Sequence, residues 1–142
     1  MSGYPDIAQL VPHAGCMCLL ERIVALDRHG ICCSTSTHRA ASNPLRHAGR
    51  LSALHLAEYG AQAMAAHGSV QDPAGSSVRR AGMLVSIRDL ELRVERLDDI
   101  AEDLVITAHS RLAQAGGLIY DFEAVAGEKF LGGGRVQVLF VR

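Results

Sequence analysis

Aromatic residues are scarce in this chain: no Trp, three Tyr and three Phe, only 4% of 142 residues. An RNA-binding sheet needs exposed aromatics interleaved with basic residues, and no such stripe is present. An excess of either charge is missing too. Fourteen Lys and Arg stand against fifteen Asp and Glu, a net charge of −1, so bulk electrostatics makes no case for a nucleic-acid partner. No apolar run reaches the roughly eighteen residues of a membrane span, so none is expected. The start, MSGYPDIAQLVPHAG, lacks a basic opening and a continuous apolar core. It is therefore not read as a secretory signal, and a soluble, cytoplasmic protein is expected. Cys16, Cys18, Cys32 and Cys33 form C-x-C and C-C pairs with no partnering C-x-x-C, which excludes the usual zinc spacings; no metal site is expected. Those in strand-like stretches are expected to behave as small apolar residues.

What is present is 49% hydrophobic and 20% charged residues, enough for one folded domain spanning residues 1–142. The central feature is LSALHLAEYGAQAMAAHGS, residues 51–69, which holds no Pro and many Ala and Leu. That composition predicts a helix, with Ser52 as N-cap and Gly68 as stop. At about 100° per residue, Ser52, His55, Glu58, Tyr59 and Gln62 share one stripe with a single carboxylate and no Lys or Arg. This predicts a buried helix carrying one acid.

Before the helix, residues 6–10 read as a helical turn and residues 17–28 as extended chain. His29-Gly30 marks a turn, and residues 31–38 read as a strand paired back onto the first. Residues 39–50 form a loop punctuated by Asn43-Pro44 and Gly49. After the helix, residues 70–80 are a link and the remainder reads as strands. GMLVSIRDLELRV, from Gly82, alternates in two phases, which predicts a bulge near Arg88-Asp89. Leu104, Ile106, Ala108 and Leu112 are expected on one face, as are Leu118, Tyr120, Phe122 and Ala124. The prediction is α+β: two strands, a helix, then an antiparallel meander of about four strands whose apolar face the helix covers. His29, His38, His67 and His109 read as surface positions.

Three motifs in this order resemble the hot-dog 3-hydroxyacyl-[acyl-carrier-protein] dehydratases. Leu10-Val11-Pro12-His13, with Met17 and Leu19-Leu20-Glu21-Arg22-Ile23, is similar to the family's opening L-P-H-x-x-P-M/F-L-L-x-D-R-I/V. Glu58-Tyr59-Gly60-Ala61-Gln62 is similar to E-x-M-A-Q in its central helix. Gly82 to Ile87, followed by Leu90, is similar to the strand after that helix. The chain most resembles the branch associated with aryl polyene biosynthesis. The resemblance implies a hot-dog fold, a curved antiparallel sheet wrapped around a long central helix. It also implies protomers docked side by side, with a helix carboxylate facing a histidine of the neighbouring chain. A homodimer or larger assembly is thus expected, including one made with a different hot-dog subunit. The family's G-H-F-P-G-x-P loop is not reproduced, because residues 43–50 read NPLRHAGR. Two histidines, His13 and His47, are left for the catalytic role.

Dehydrating a 3-hydroxyacyl thioester needs a base at C2, an acid at the departing C3 hydroxyl and a donor at the thioester carbonyl. A histidine suits the first task. Glu58, in apolar surroundings, suits the second. Backbone N–H groups at residues 54–56 suit the third. Gln62 is placed to orient Glu58. Leu54, His55, Gln62 and Gly82 are the expected substrate-binding positions. No cofactor is expected, because the phosphopantetheine arm arrives with the substrate, on acyl carrier protein or as a CoA thioester. Arg46, Arg50, Arg79 and Arg80 are candidates to meet an acidic carrier. The same residues leave two other readings open: a thioesterase in which Glu58 activates water, and a non-catalytic acyl-binding subunit.

Overall fold

The computed structural model describes residues 3–10, 17–71, 83–114 and 116–140. His13, Gly82, Arg79 and Arg80 lie outside them. The six strands are β1 (Arg22–Leu26), β2 (Gly30–Thr35), β3 (Met83–Leu92), β4 (Leu104–Gln114), β5 (Gly117–Ala126) and β6 (Lys129–Phe140). They form one sheet in the order β1-β2-β4-β5-β6-β3, antiparallel at every step. The helix α1 (Leu56–Gln71) packs on the apolar face of that sheet.

Local chemistry accounts for much of this. The Asp27 carboxylate accepts the N–H groups of His29 at 2.8 Å and Gly30 at 3.0 Å, which closes the β1–β2 turn. Asp6 caps a 3-10 turn at Ile7–Gln9, where the first helical turn was expected. The predicted bulge is present: the β3–β6 register shifts between Arg88 and Glu91, and Asp89 takes a φ of 53°. Leu118, Tyr120, Phe122 and Ala124 all point inward and are buried. Cys33 is fully buried in the core, and burial pushes its thiol up to about 12.

Four expectations need correction. First, only β4, β5 and β6 form a meander; β3 lies at the far edge, paired with β6 from Met83↔Phe140 to Leu92↔Gly132. The connection at residues 93–103 does not turn β3 straight into β4. It crosses the entrance of the helix instead. Leu97 N–H donates to Leu51 C=O at 2.8 Å, Ala53 N–H to Glu95 C=O at 3.0 Å, and Leu51 N–H to Asp98 Oδ1 at 2.9 Å. Second, Leu112 is 42% exposed. The β4–β5 register slips between Ser110 and Leu112, and one extra residue reverses the facing of all that follow. Third, Gly68 does not end the helix, which continues to Gln71. An internal Gly costs only about 1 kcal/mol, and here it is buried in the packed face.

Fourth, His38 and His67 are not surface residues; both are 0% exposed. The His67 ring is bonded at Nδ1 to the Tyr120 hydroxyl and at Nε2 to the Asp27 carbonyl, the latter at 2.9 Å. His38 Nε2 lies 3.1 Å from the Ile100 carbonyl. Both nitrogens of His67 are engaged, whereas His38 Nδ1 has no hydrogen-bond partner among the described residues; a neutral imidazole carries the smaller cost of such burial. Burial holds both rings below the ordinary histidine value of 6.5. The unfolded chain therefore binds protons that the folded chain refuses, and stability must fall as pH drops below about 6.5. Each ring contributes up to about 1.4 kcal/mol per pH unit between its unfolded and folded values. Urea midpoints are expected to decline from about pH 6.5 to pH 5.5, before the carboxylates titrate. An unchanged midpoint across that interval would rule out buried, neutral histidines.

Candidate active site

The helix enters through a 3-10 turn, Ala53–His55, capped by Ser52, whose Oγ accepts the Leu54 N–H at 3.2 Å. His55 N–H donates to Ser52 C=O at 3.1 Å, and Leu56 N–H is taken by the same turn. The three backbone donors expected to meet a thioester carbonyl are thus engaged inside the chain.

One turn further on, Glu58 stands on the flank of α1 that faces away from the sheet. Its side chain is 49% exposed, and its Oε1 lies 3.3 Å from His55 Nδ1. Leu54 is 61% exposed beside them, and half-buried Ala57, Ala61 and Ala65 continue the same flank. The predicted stripe therefore straddles two environments. Glu58 is exposed and His55 half-buried, whereas Tyr59 and Gln62 are buried at 0% and 4% exposure. The burial expected around Glu58 is not supplied by this chain alone.

Gln62 does not orient Glu58. Its Oε1 accepts the Leu19 N–H at 2.8 Å and its Nε2 donates to the Met17 carbonyl at 2.6 Å. Both ends of the amide are committed to the chain segment that follows His13 in sequence. A larger buried network continues from there. The Leu19 carbonyl accepts the hydroxyls of Thr35 and Thr37, each at 2.6 Å. The Thr37 and Tyr59 hydroxyls are 3.0 Å apart, and Asn43 Nδ2 donates to Tyr59 at 3.3 Å and to the Thr37 carbonyl at 2.9 Å. Sequence reading missed Tyr59, Thr35, Thr37 and Asn43 as a unit. The available signal was a tyrosine among alanines: a buried phenol needs a partner. Replacing Gln62 with Leu keeps the volume but strands two backbone groups. We expect a loss of about 1–3 kcal/mol in urea unfolding, and an unchanged midpoint would show that these bonds contribute nothing.

His47 sits at the start of a tight 47–50 turn, bonded backbone to backbone with Arg50. Its side chain is exposed and has no hydrogen-bond partner among the described residues. In the same loop, Arg46 directs its guanidinium to the carbonyls of Gly49 and His38, at 2.9 and 3.2 Å, while Arg50 is exposed. A cleft of about 930 Å³ lies elsewhere, between Arg93, Arg96, Asp99, Ile100, Ala126 and Lys129 among others, and does not reach Glu58. Among the described residues no group of His, Cys, Asp or Glu is arranged to hold a metal ion, and no helix is long and apolar enough to cross a membrane.

The chain matches the family model described as ApeP dehydratase, of the ApeP-like family, over residues 5–141. No curated protein matches it. Among solved structures it is similar to the dehydratase heterocomplex ApeI:P from Xenorhabdus doucetiae. The TM-score is 0.83 and the identity 17%, covering 98% of this chain and 93% of that one. AziG from S. sahachiroi gives a TM-score of 0.60 at 14% identity, over 85% of this chain and 90% of that one. The E. coli PaaI protein from the phenylacetic acid degradation operon gives 0.54 at 14% identity, over 85% and 79%. At such identities the structures establish the fold, which is the hot-dog fold expected from the motifs. The family match runs through the helix that carries Glu58 and through all six strands, and the chain belongs to the ApeP-like dehydratase family.

Proposed function

We propose that this chain dehydrates 3-hydroxyacyl thioesters carried by acyl carrier protein, giving trans-2-enoyl products in a fatty-acid-like or aryl polyene assembly line. The observation that carries the reading is the family match over residues 5–141, which includes an accessible carboxyl on the central helix. In the elimination, a histidine takes the C2 proton, and the C–H electron pair becomes the C2=C3 bond. The C3–O bond breaks, and the Glu58 carboxyl protonates the departing hydroxyl, which leaves as water. His13 and His47 are the candidates from the motif resemblance. The chemistry balances without electron transfer, and the phosphopantetheine arm belongs to the substrate.

A second hot-dog subunit, identical or different, lying over the alanine-lined flank of α1 would exclude water from Glu58 and complete the pocket. The Xenorhabdus relative is itself a heterocomplex. Arg50 is an exposed cation of the 39–50 loop and the candidate there for an acidic carrier.

The test incubates the purified chain, alone and with a companion hot-dog subunit, with 3-hydroxyacyl carrier protein. Mass spectrometry of the acyl-carrier should show loss of one water with the thioester intact. Release of free thiol without enoyl product would establish a thioesterase instead. Carrier binding with no dehydration at any chain length would establish an acyl-binding subunit.

A further inference from the structure

The geometry points to His55 as the base that works with Glu58, so that both halves of the dyad come from one chain, His55 from the 3-10 turn and Glu58 from α1. This rests on the dehydratase reading above but departs from the expected pairing across a subunit boundary. Three observations carry it. The His55 and Glu58 side chains are in direct contact, Nδ1 to Oε1 at 3.3 Å, at the N-terminal entrance of α1. His55 Nε2 has no hydrogen-bond partner among the described residues, which leaves it open to a substrate. The other described histidines are occupied or placed elsewhere. His38 and His67 are fully buried, with their rings on backbone and on Tyr120. His29 lies in the β1–β2 turn. His109 is an exposed β4 residue paired with Gly30 and Asp121. His47 is exposed in its own tight turn.

The contact gives the pair a way to reset. With Nδ1 protonated, His55 accepts the C2 proton at Nε2 while Glu58 gives its proton to the leaving hydroxyl. The imidazolium and carboxylate so formed already touch, and the Nδ1 proton passes to Glu58. Exchange with water then moves the remaining proton from Nε2 to Nδ1, which restores the starting tautomer with no net release. One proton enters from C2 and one leaves with water, and no other reactant is required. A companion subunit would need to supply only walls.

The experiment compares His55→Gln, His13→Gln and His47→Gln on 3-hydroxyacyl carrier protein, then mixes inactive variants. We expect His55→Gln to lower kcat by at least about 100-fold, far more than any fall in folded fraction read from its unfolding midpoint. The limb of the kcat/KM profile set by histidine ionisation should disappear with it. His55→Gly should regain turnover when imidazole is added, which a purely structural residue would not do. Co-refolding His55→Gln with Glu58→Gln should restore nothing, since each chain then carries a broken dyad. Pairing across subunits would leave about half of the sites in mixed dimers intact, so recovered activity overturns the proposal. Turnover of His55→Gln within about threefold of wild type overturns it also. Wild-type protein that forms no enoyl product in any pairing overturns the dehydratase reading, and His55's role falls with it. Normal wild-type turnover beside an active His55→Gln removes the role of His55 alone.

Discussion

Glu58→Gln is expected to slow enoyl formation by about 100- to 10,000-fold, the range for losing a positioned general acid. The substitution changes one atom, keeps the shape of the side chain and retains a hydrogen bond to His55. It removes only the proton that leaves with the C3 hydroxyl. Glu58 is half exposed and its one partner among the described residues is His55, so stability should change by no more than about 0.5 kcal/mol. A fall in kcat with an unchanged unfolding midpoint therefore reports chemistry rather than folding. Substrate affinity should hold, because the carboxyl is asked to act on the departing group and not to bind the acyl chain. If Glu58→Gln turns over at the wild-type rate, the acid is elsewhere and the carboxylate is a surface residue.

Gly60→Val should destabilise the fold by about 3 kcal/mol and lower Tm by roughly 10 °C. A Cβ at position 60 would lie 2.4 Å from Phe122 Cγ and 2.6 and 2.7 Å from its two Cδ atoms. Those atoms form the root of the ring, and Phe122 is held in the buried row of β5, so the ring has no free end to swing away. On propensity alone, replacing an internal Gly with Ala would stabilise a helix by about 1 kcal/mol. Overpacking of a closed core costs about 1–3 kcal/mol, and the shortest contacts lie at the severe end. Sterics therefore wins, and even Gly60→Ala should be destabilising. The pair is separable by a double-mutant cycle: Gly60→Ala should cost much less in a Phe122→Leu background. Gly60→Ala that raises the urea midpoint of the wild type would show that the helix does not lie this close to β5. Since Glu58 is two residues away on the same helix, a displaced helix should also lose activity.

The elements governed by local rules were readable from the chain. The asparagine-proline loop, the Asp27 turn, the Ser52 cap and the bulge at Asp89 each follow from residues within a few positions of one another. Even the alternation of Leu118, Tyr120, Phe122 and Ala124 needs only a period of two. The helix was found from its alanines, and its one carboxylate singled out Glu58. Reading failed where the deciding partner is distant in sequence. Gln62 meets Met17 and Leu19 rather than Glu58, and His67 meets Tyr120 and Asp27, separations of 40 to 53 residues. A polar residue looks solvent-exposed until the groups that satisfy it are known.

By itself, the sequence determined the α+β layout, the central helix and the acid upon it, because composition and periodicity are properties of neighbouring residues; the hot-dog class came from the motif resemblance. Tertiary structure decided the rest. It placed β3 beside β6, since the 93–103 connection finds its hydrogen bonds at the helix entrance. It buried two histidines and left a third touching Glu58. It also turned the single helix stripe into one buried edge and one accessible edge. Which side of a small-sided helix is covered depends on what the sheet brings against it, and no count along the chain contains that information.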